Sequence, residues 1–274
     1  MKQKLILFLF GLVFLSMMVQ AQSTEKDKTK LHSISEIRAL LELSDVGYYS
    51  ELTNEPTNAL EYRGEKKTAA NMGVYAADLL YVVATSENEN IFQEYGAIME
   101  LAKNEGLTDD IPAIILKRYE DGNATAEEVI DMLDNAMEKS EAKMSEQNKQ
   151  EFFAYFALGN YIEKLYLVSS IIERPKQTDV PAEVEATLKR NLIRYIGAQS
   201  IRLQGMLDIV TLYPDDTKEV VDARDIKLLM DQYKYLESNR EQLLQLSAEE
   251  FFNEKNIKAI FKQIKKIRER IVKV

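Results

Sequence analysis

From residue 33 to residue 272 the apolar side chains recur at three- and four-residue intervals almost without a break, and only 5 prolines and 10 glycines occur in the whole chain to interrupt them. That period is the signature of a helix with one buried face, whereas a half-buried strand alternates apolar and polar residues. Alternating β-branched runs are few. The spacing therefore predicts an all-α protein of about nine helices, over 33–52, 66–85, 88–105, 110–120, 126–143, 147–173, 181–212, 217–240 and 248–272. The first opens with Ser33-Ile34-Ser35-Glu36, whose hydroxyl and carboxylate can satisfy the free N–H groups of a first turn.

Ahead of this region, Lys2 and Lys4 precede an apolar run from Leu5 to Val19 that ends in Val19-Gln20-Ala21. The run is shorter than the ~20 residues of a spanning helix, and the small residues at its end suit a signal peptidase. Residues 1–21 are read as a secretory signal cleaved after Ala21, and 22–32 as a flexible polar tether. No second span is expected, because the apolar stretches 72–84 and 152–172 carry Asp78, Glu163 and Lys164.

Cysteine is absent, which excludes disulfides, thiol catalysis, thiolate metal sites and a lipid-bearing cysteine at the cleavage point. Taking Lys2 and Lys4 from the 35 basic residues leaves 33 against 45 acidic ones, a formal charge of −12 for the mature chain. Nucleic acid is not an expected partner of so acidic a protein.

The last eight helices read as two copies of a four-helix unit, over 66–145 and 147–272, within a single domain spanning 33–274. Met72-Gly73-Val74-Tyr75 and Leu79-Leu80-Tyr81 correspond to Leu158-Gly159-Asn160-Tyr161 and Leu165-Tyr166. Tyr95-Gly96-Ala97 corresponds to Tyr195-Ile196-Gly197-Ala198, and Thr125-Ala126-Glu127-Glu128-Val129 to Ser247-Ala248-Glu249-Glu250-Phe251. Asp109-Asp110 and Asp215-Asp216 precede the third helix of each copy, where adjacent acids are expected as caps; they lack the ligand spacing of a calcium loop. The two most apolar helices, 67–84 and 152–172, are expected at the centre.

The segment Ala69-Ala70-Asn71-Met72-Gly73-Val74-Tyr75-Ala76-Ala77-Asp78-Leu79-Leu80-Tyr81, preceded by Leu52-Thr53-Asn54-Glu55-Pro56 and Tyr62, resembles a family of uncharacterised exported helical proteins and lipoproteins from Bacteroidota-type bacteria. Ala157-Leu158-Gly159-Asn160-Tyr161-Ile162-Glu163-Lys164-Leu165-Tyr166 fits the same resemblance, which covers most of the mature chain. It implies an exported helical protein and brings no established activity, substrate or cofactor. Lacking the lipid-bearing cysteine of the lipoprotein members, the chain is expected to be released into the periplasm.

Chemistry is bounded mainly by exclusion. His32 is the only histidine, so histidine triads and multi-histidine metal sites are closed, and no phosphate loop or nucleophile elbow occurs. No cofactor and no metal are expected. Carboxylate pairs can hydrolyse glycosides, but there is no tryptophan to form a sugar platform. In the last helix, Lys258, Lys262, Lys265, Lys266, Arg268, Arg270 and Lys273 surround a stripe of Ile257, Ile260, Phe261, Ile264, Ile267 and Ile271. Such a helix either closes the second unit or lies on an anionic membrane surface.

One charge inside the most apolar helix stands out. Asn71, Tyr75 and Asp78 share a helix face, and Asn160 and Glu163 are expected to meet them from the corresponding helix of the other half. These five are the candidate ligand-binding residues. The alternative is an internal strut in which Asp78 pairs with Arg194 or Arg202. The leading functional expectation is a non-catalytic envelope protein that binds a small ligand or a protein partner. A structural or assembly factor of the envelope and a carboxylate-dependent hydrolase are the alternatives.

Overall fold

The computed structural model describes residues 48–85, 88–103, 105–107, 113–125, 149–173 and 200–274, with a few further positions between 128 and 135. The signal, the tether, His32, Asp109, Asp110, and much of the helices expected over 33–52, 126–143 and 181–212 lie outside the described residues. All regular structure among the described residues is helical, packed as an array. Two 3-10 turns, Ser50–Leu52 and Pro56–Leu60, lead into helices α1 (Glu65–Ala84), α2 (Asn88–Lys103), α3 (Ala113–Glu120), α4 (Gln150–Glu173) and α5 (Ser200–Leu212). After these come α6 (Ala223–Ser238), α7 (Arg240–Gln245), α8 (Ala248–Asn253) and α9 (Lys255–Val272).

The centre is the pair α1 and α4, apolar on nearly all sides as the sequence predicts. Their backbones approach closely where two glycines meet the opposite helix. A Cβ added to Gly73 would lie 2.0 Å from the Phe156 carbonyl oxygen, and one added to Gly159 would lie 1.9 Å from that of Ala70. At this crossing the Asn160 side chain donates to the Gly73 carbonyl at 3.2 Å, so its amide is bonded without access to water.

Around this pair, α2 packs on α1 and on the turn Pro56–Leu60, while α9 packs on α4 and α6. The stripe of Ile257, Ile260, Phe261, Ile264, Ile267 and Ile271 is wholly buried, each side chain contributing roughly 1.5–3 kcal/mol relative to exposure. The apolar face of the last helix is thus spent on the core, as in the reading where it closes the bundle, and is not free to insert into a membrane surface. No described helix is long and apolar enough to cross a membrane.

Three expectations from the sequence are adjusted. The helix expected from 217 starts at Ala223, with Asp222 as its cap accepting from the Arg224 N–H at 3.0 Å. Asp215 instead ties a loop: its carboxylate accepts from the N–H groups of Lys218, Val220 and Val221 at 3.1, 2.7 and 3.1 Å, which seats the valines in the core. The helix expected over 248–272 is two helices. Glu254 is extended at the break, and its carboxylate accepts from Asn256 and Ile257 N–H at 2.6 and 2.9 Å to start α9.

The third adjustment concerns the repeat. A doubled four-helix unit is not shown by this arrangement, although one of its local correspondences is present. Capping boxes close at both Thr125 and Ser247, each with the backbone N–H of a glutamate three residues on donating to the hydroxyl at 3.2 Å. The matching glutamates, Glu128 and Glu250, accept in return from Thr125 N–H and Ser247 N–H.

Candidate functional site

Three carboxyl groups from three helices are buried together: Asp78 on α1, Glu94 on α2 and Glu163 on α4. A buried carboxylate is tolerated only when paired or protonated. Glu163 is paired. The Arg268 guanidinium, carried by α9, reaches it with a fork of hydrogen bonds at 2.9 and 3.0 Å, and stacks over the Tyr166 ring at 4.4 Å. Burial works against the Arg268 cation, but the Glu163 charge and its hydrogen bonds outweigh it and keep the guanidinium firmly protonated.

Asp78 has one hydrogen bond, accepted by Oδ2 from the Asn54 N–H at 2.9 Å, while its Oδ1 is buried with no partner among the described residues. Burial, then the charges of Glu163 and Glu94, push the Asp78 carboxyl well above the usual carboxylate range. Burial likewise pushes Glu94 up to about 8, against a hydrogen bond from Thr53. Asp78 and Glu94 are thus inclined to keep their protons beside the Glu163–Arg268 ion pair.

The segment from Leu52 to Tyr62 closes over these groups. Its Tyr62 hydroxyl accepts from the Asn54 side-chain amide and donates to the Val272 carbonyl, both at 2.9 Å. The Tyr75 hydroxyl donates to the Glu55 carbonyl at 2.8 Å, and the Asn71 amide donates to the Ile271 carbonyl at 2.8 Å. Asn71, Tyr75 and Asp78 therefore share a face as expected, but each makes its own contact along that face rather than meeting at one spot. Glu163 joins Asp78, whereas Asn160 stays at the glycine crossing. Arg268 is the cation the sequence reading did not name, and it pairs with Glu163 rather than with Asp78; the expected partners of Asp78, Arg194 and Arg202, have side chains that lie outside the described residues.

Arg268 had a signal in the sequence. Counting in steps of four from Ile260 through Ile264 reaches Arg268, so it stands on the apolar stripe of α9 rather than among the solvated charges. Glu94 had none, since it is one acid of several on an amphipathic helix, and the partnership of Asn54 with Tyr62 is visible only in the fold.

A second polar feature adjoins the first across Tyr62. A cleft of about 620 Å³ lies between the start of α1, the loop after α5 and the end of α9. Six cations line it, Arg63, Lys67, Lys218, Lys266, Arg270 and Lys273, against the three carboxylates of Glu61, Glu219 and Glu269, in a protein whose overall formal charge is −10. Asp225 fixes Lys266 and Arg270 at 2.6 and 3.3 Å, and Lys67 donates to the Arg270 carbonyl at 3.0 Å. The loop wall is pinned to α4 and α1 by Tyr155 donating to the Tyr213 carbonyl at 2.7 Å and by Lys66 donating to that of Pro214 at 2.6 Å. None of the five residues expected from the sequence lines this cleft. Among the described residues no group of acidic or histidine side chains is arranged to hold a metal ion.

No protein-family model, curated protein or solved structure matches the chain.

Proposed function

We propose that the chain is an exported, non-catalytic binding protein of the cell envelope, working in the periplasm, and that it holds a small ligand in the cleft between α1, the 213–222 loop and α9. The observation that carries this reading is the cleft itself: a concave polar surface of about 620 Å³ built from separated parts of the chain. That volume falls within the roughly 300–1,000 Å³ of small-molecule sites. Its wall residues are held by the hydrogen bonds of Asp215, Asp225 and Tyr155, so little ordering is needed when a ligand enters.

The hydrolase reading is weaker. The acids that come together are buried beneath residues 52–62, and the pair at their centre is a neutralised Glu163–Arg268 bridge rather than two carboxyl groups flanking an open substrate site. Asp78 and Glu163 serve as the internal strut, and the cleft is the surface offered to ligands.

Hydrogen–deuterium exchange of the purified protein, with and without the low-molecular-mass fraction of an envelope extract, tests the assignment. Protection of the 213–222 loop and the end of α9 is the expected result. Protection confined to other elements, or none, removes the cleft from the account.

A further inference from the structure

Lys218 has a backbone φ of 57°, the one described non-glycine residue in the left-handed region. For a lysine this conformation costs about 1–2 kcal/mol, which glycine at the same place would avoid. The surrounding loop enforces it: the Asp215 carboxylate accepts from the Lys218 N–H and from Val220 and Val221, and the valines are buried. The strained residue lies in the wall of the basic cleft with Lys273, and its charge acts on Asp222, which is itself paired with Arg224.

The floor of the cleft carries cations whose hydrogen bonding is incomplete. Arg270 Nη1 is buried with no hydrogen-bond partner among the described residues, although Nη2 meets Asp225 at 3.3 Å. Lys67 is half-buried beside it, and burial, reinforced by the charge of Lys273, lowers its pKa in spite of Glu219 and Asp215. Burial is the main cost of keeping Lys67 charged, and a bound oxyanion beside it offsets that cost by a charge-assisted hydrogen bond. One anionic group cannot answer charges spread along both walls, so a ligand with at least two is the better fit.

Resting on the reading of the cleft as the ligand site, we infer that it takes a small molecule carrying two or more phosphate or carboxylate groups, with Lys67, Lys218, Arg270 and Lys273 as its charge contacts. The same chemistry is presented by a free phosphorylated or polycarboxylate compound and by an anionic lipid headgroup.

Two probes separate these sources: pyrophosphate, titrated calorimetrically at low and at physiological salt, and vesicles containing cardiolipin, whose headgroup carries two phosphates, in a flotation assay. Each is run on the full mature chain and on the variants Lys67→Gln and Lys218→Gly, with circular dichroism as a check on folding. Pyrophosphate binding that weakens about tenfold in each variant supports the proposal with a soluble ligand. Flotation with the same variant dependence, and no pyrophosphate binding, supports it with a headgroup. Lys218→Gly is decisive because it relieves backbone strain: the expected variant is at least as heat-stable as the parent yet binds less well. Failure of both probes to bind, or binding indifferent to both substitutions, overturns the proposal. If exchange protection places a neutral or cationic compound in the cleft, this inference falls while the binding function stands; if nothing protects the cleft, both fall.

Discussion

Arg268 meets Glu163 through a fork whose shortest hydrogen bonds are 2.9 and 3.0 Å, and its charge also acts on the buried Asp78. Without it the strut is an unpaired carboxylate in the core. Arg268→Met should destabilise the protein by roughly 3–5 kcal/mol in urea unfolding, because Glu163 is left charged and dry or must take up a proton. The double variant Arg268→Met with Glu163→Met should recover much of that loss, since it removes the stranded charge as well. A double variant no better than the single one would mean that packing against Tyr166, and not charge pairing, is what Arg268 contributes.

The glycine crossing makes a contrasting pair of expectations. Alanine at Gly73 or Gly159 puts a Cβ 2.0 or 1.9 Å from a carbonyl oxygen on the facing helix, so α1 and α4 must separate. Overpacking of this kind costs about 1–3 kcal/mol. Alanine at Gly96, exposed on α2 with nothing within 4 Å of the added carbon, should instead stabilise by about 0.5–1 kcal/mol. Thermal denaturation of the three variants checks the order, and equal effects would mean that the helices do not cross at these glycines.

Stability should depend on pH in an unusual direction. Glu94 is raised from the ordinary 4.5 to about 8 and Asp78 is raised with it, so between those values the folded protein keeps protons that the unfolded chain has released. Their contribution is fully present below the unfolded values and fades as pH rises toward the folded ones, at up to about 1.4 kcal/mol per pH unit for each group. The melting temperature should therefore fall between about pH 5 and about pH 8. Glu94→Gln should flatten that slope. A melting temperature that is level or rising across this window would show that these carboxyls are ionised in the fold.

Much of this arrangement was open to sequence reasoning. Apolar spacing identified α1, α2 and α4 nearly to the residue, and the isolation of Asp78 in an apolar helix marked it as needing a partner. What could not be read was the cation that pairs with Glu163 in this cluster, because α9 lies far along the chain and Arg268 sits in a run of cations where only its register on the isoleucine stripe distinguishes it. The breaks at Asp222 and Glu254 were hidden for a different reason: their carboxylates cap helices from within continuous amphipathic patterns, so periodicity runs through them. The cleft had no linear signature at all, being assembled from 61–67, 217–219 and 266–274.

Export is tested at the amino terminus. If the proposed export holds, the protein recovered from the envelope fraction should begin at Gln22, the residue after the expected cleavage point at Ala21. N-terminal sequencing that returns Met1 from that fraction would contradict processing.

Ligand capture is the central claim, and native mass spectrometry of gently purified protein is its most direct measurement. Wild type and a variant combining Lys67→Gln with Lys273→Gln are compared side by side. The expected result is a small molecule retained by the wild type, released on denaturation, and strongly depleted in a folded variant. Contradiction takes either of two forms: a retained molecule held equally by both proteins, or wild type that carries only a partner polypeptide, which would support the assembly-factor reading instead.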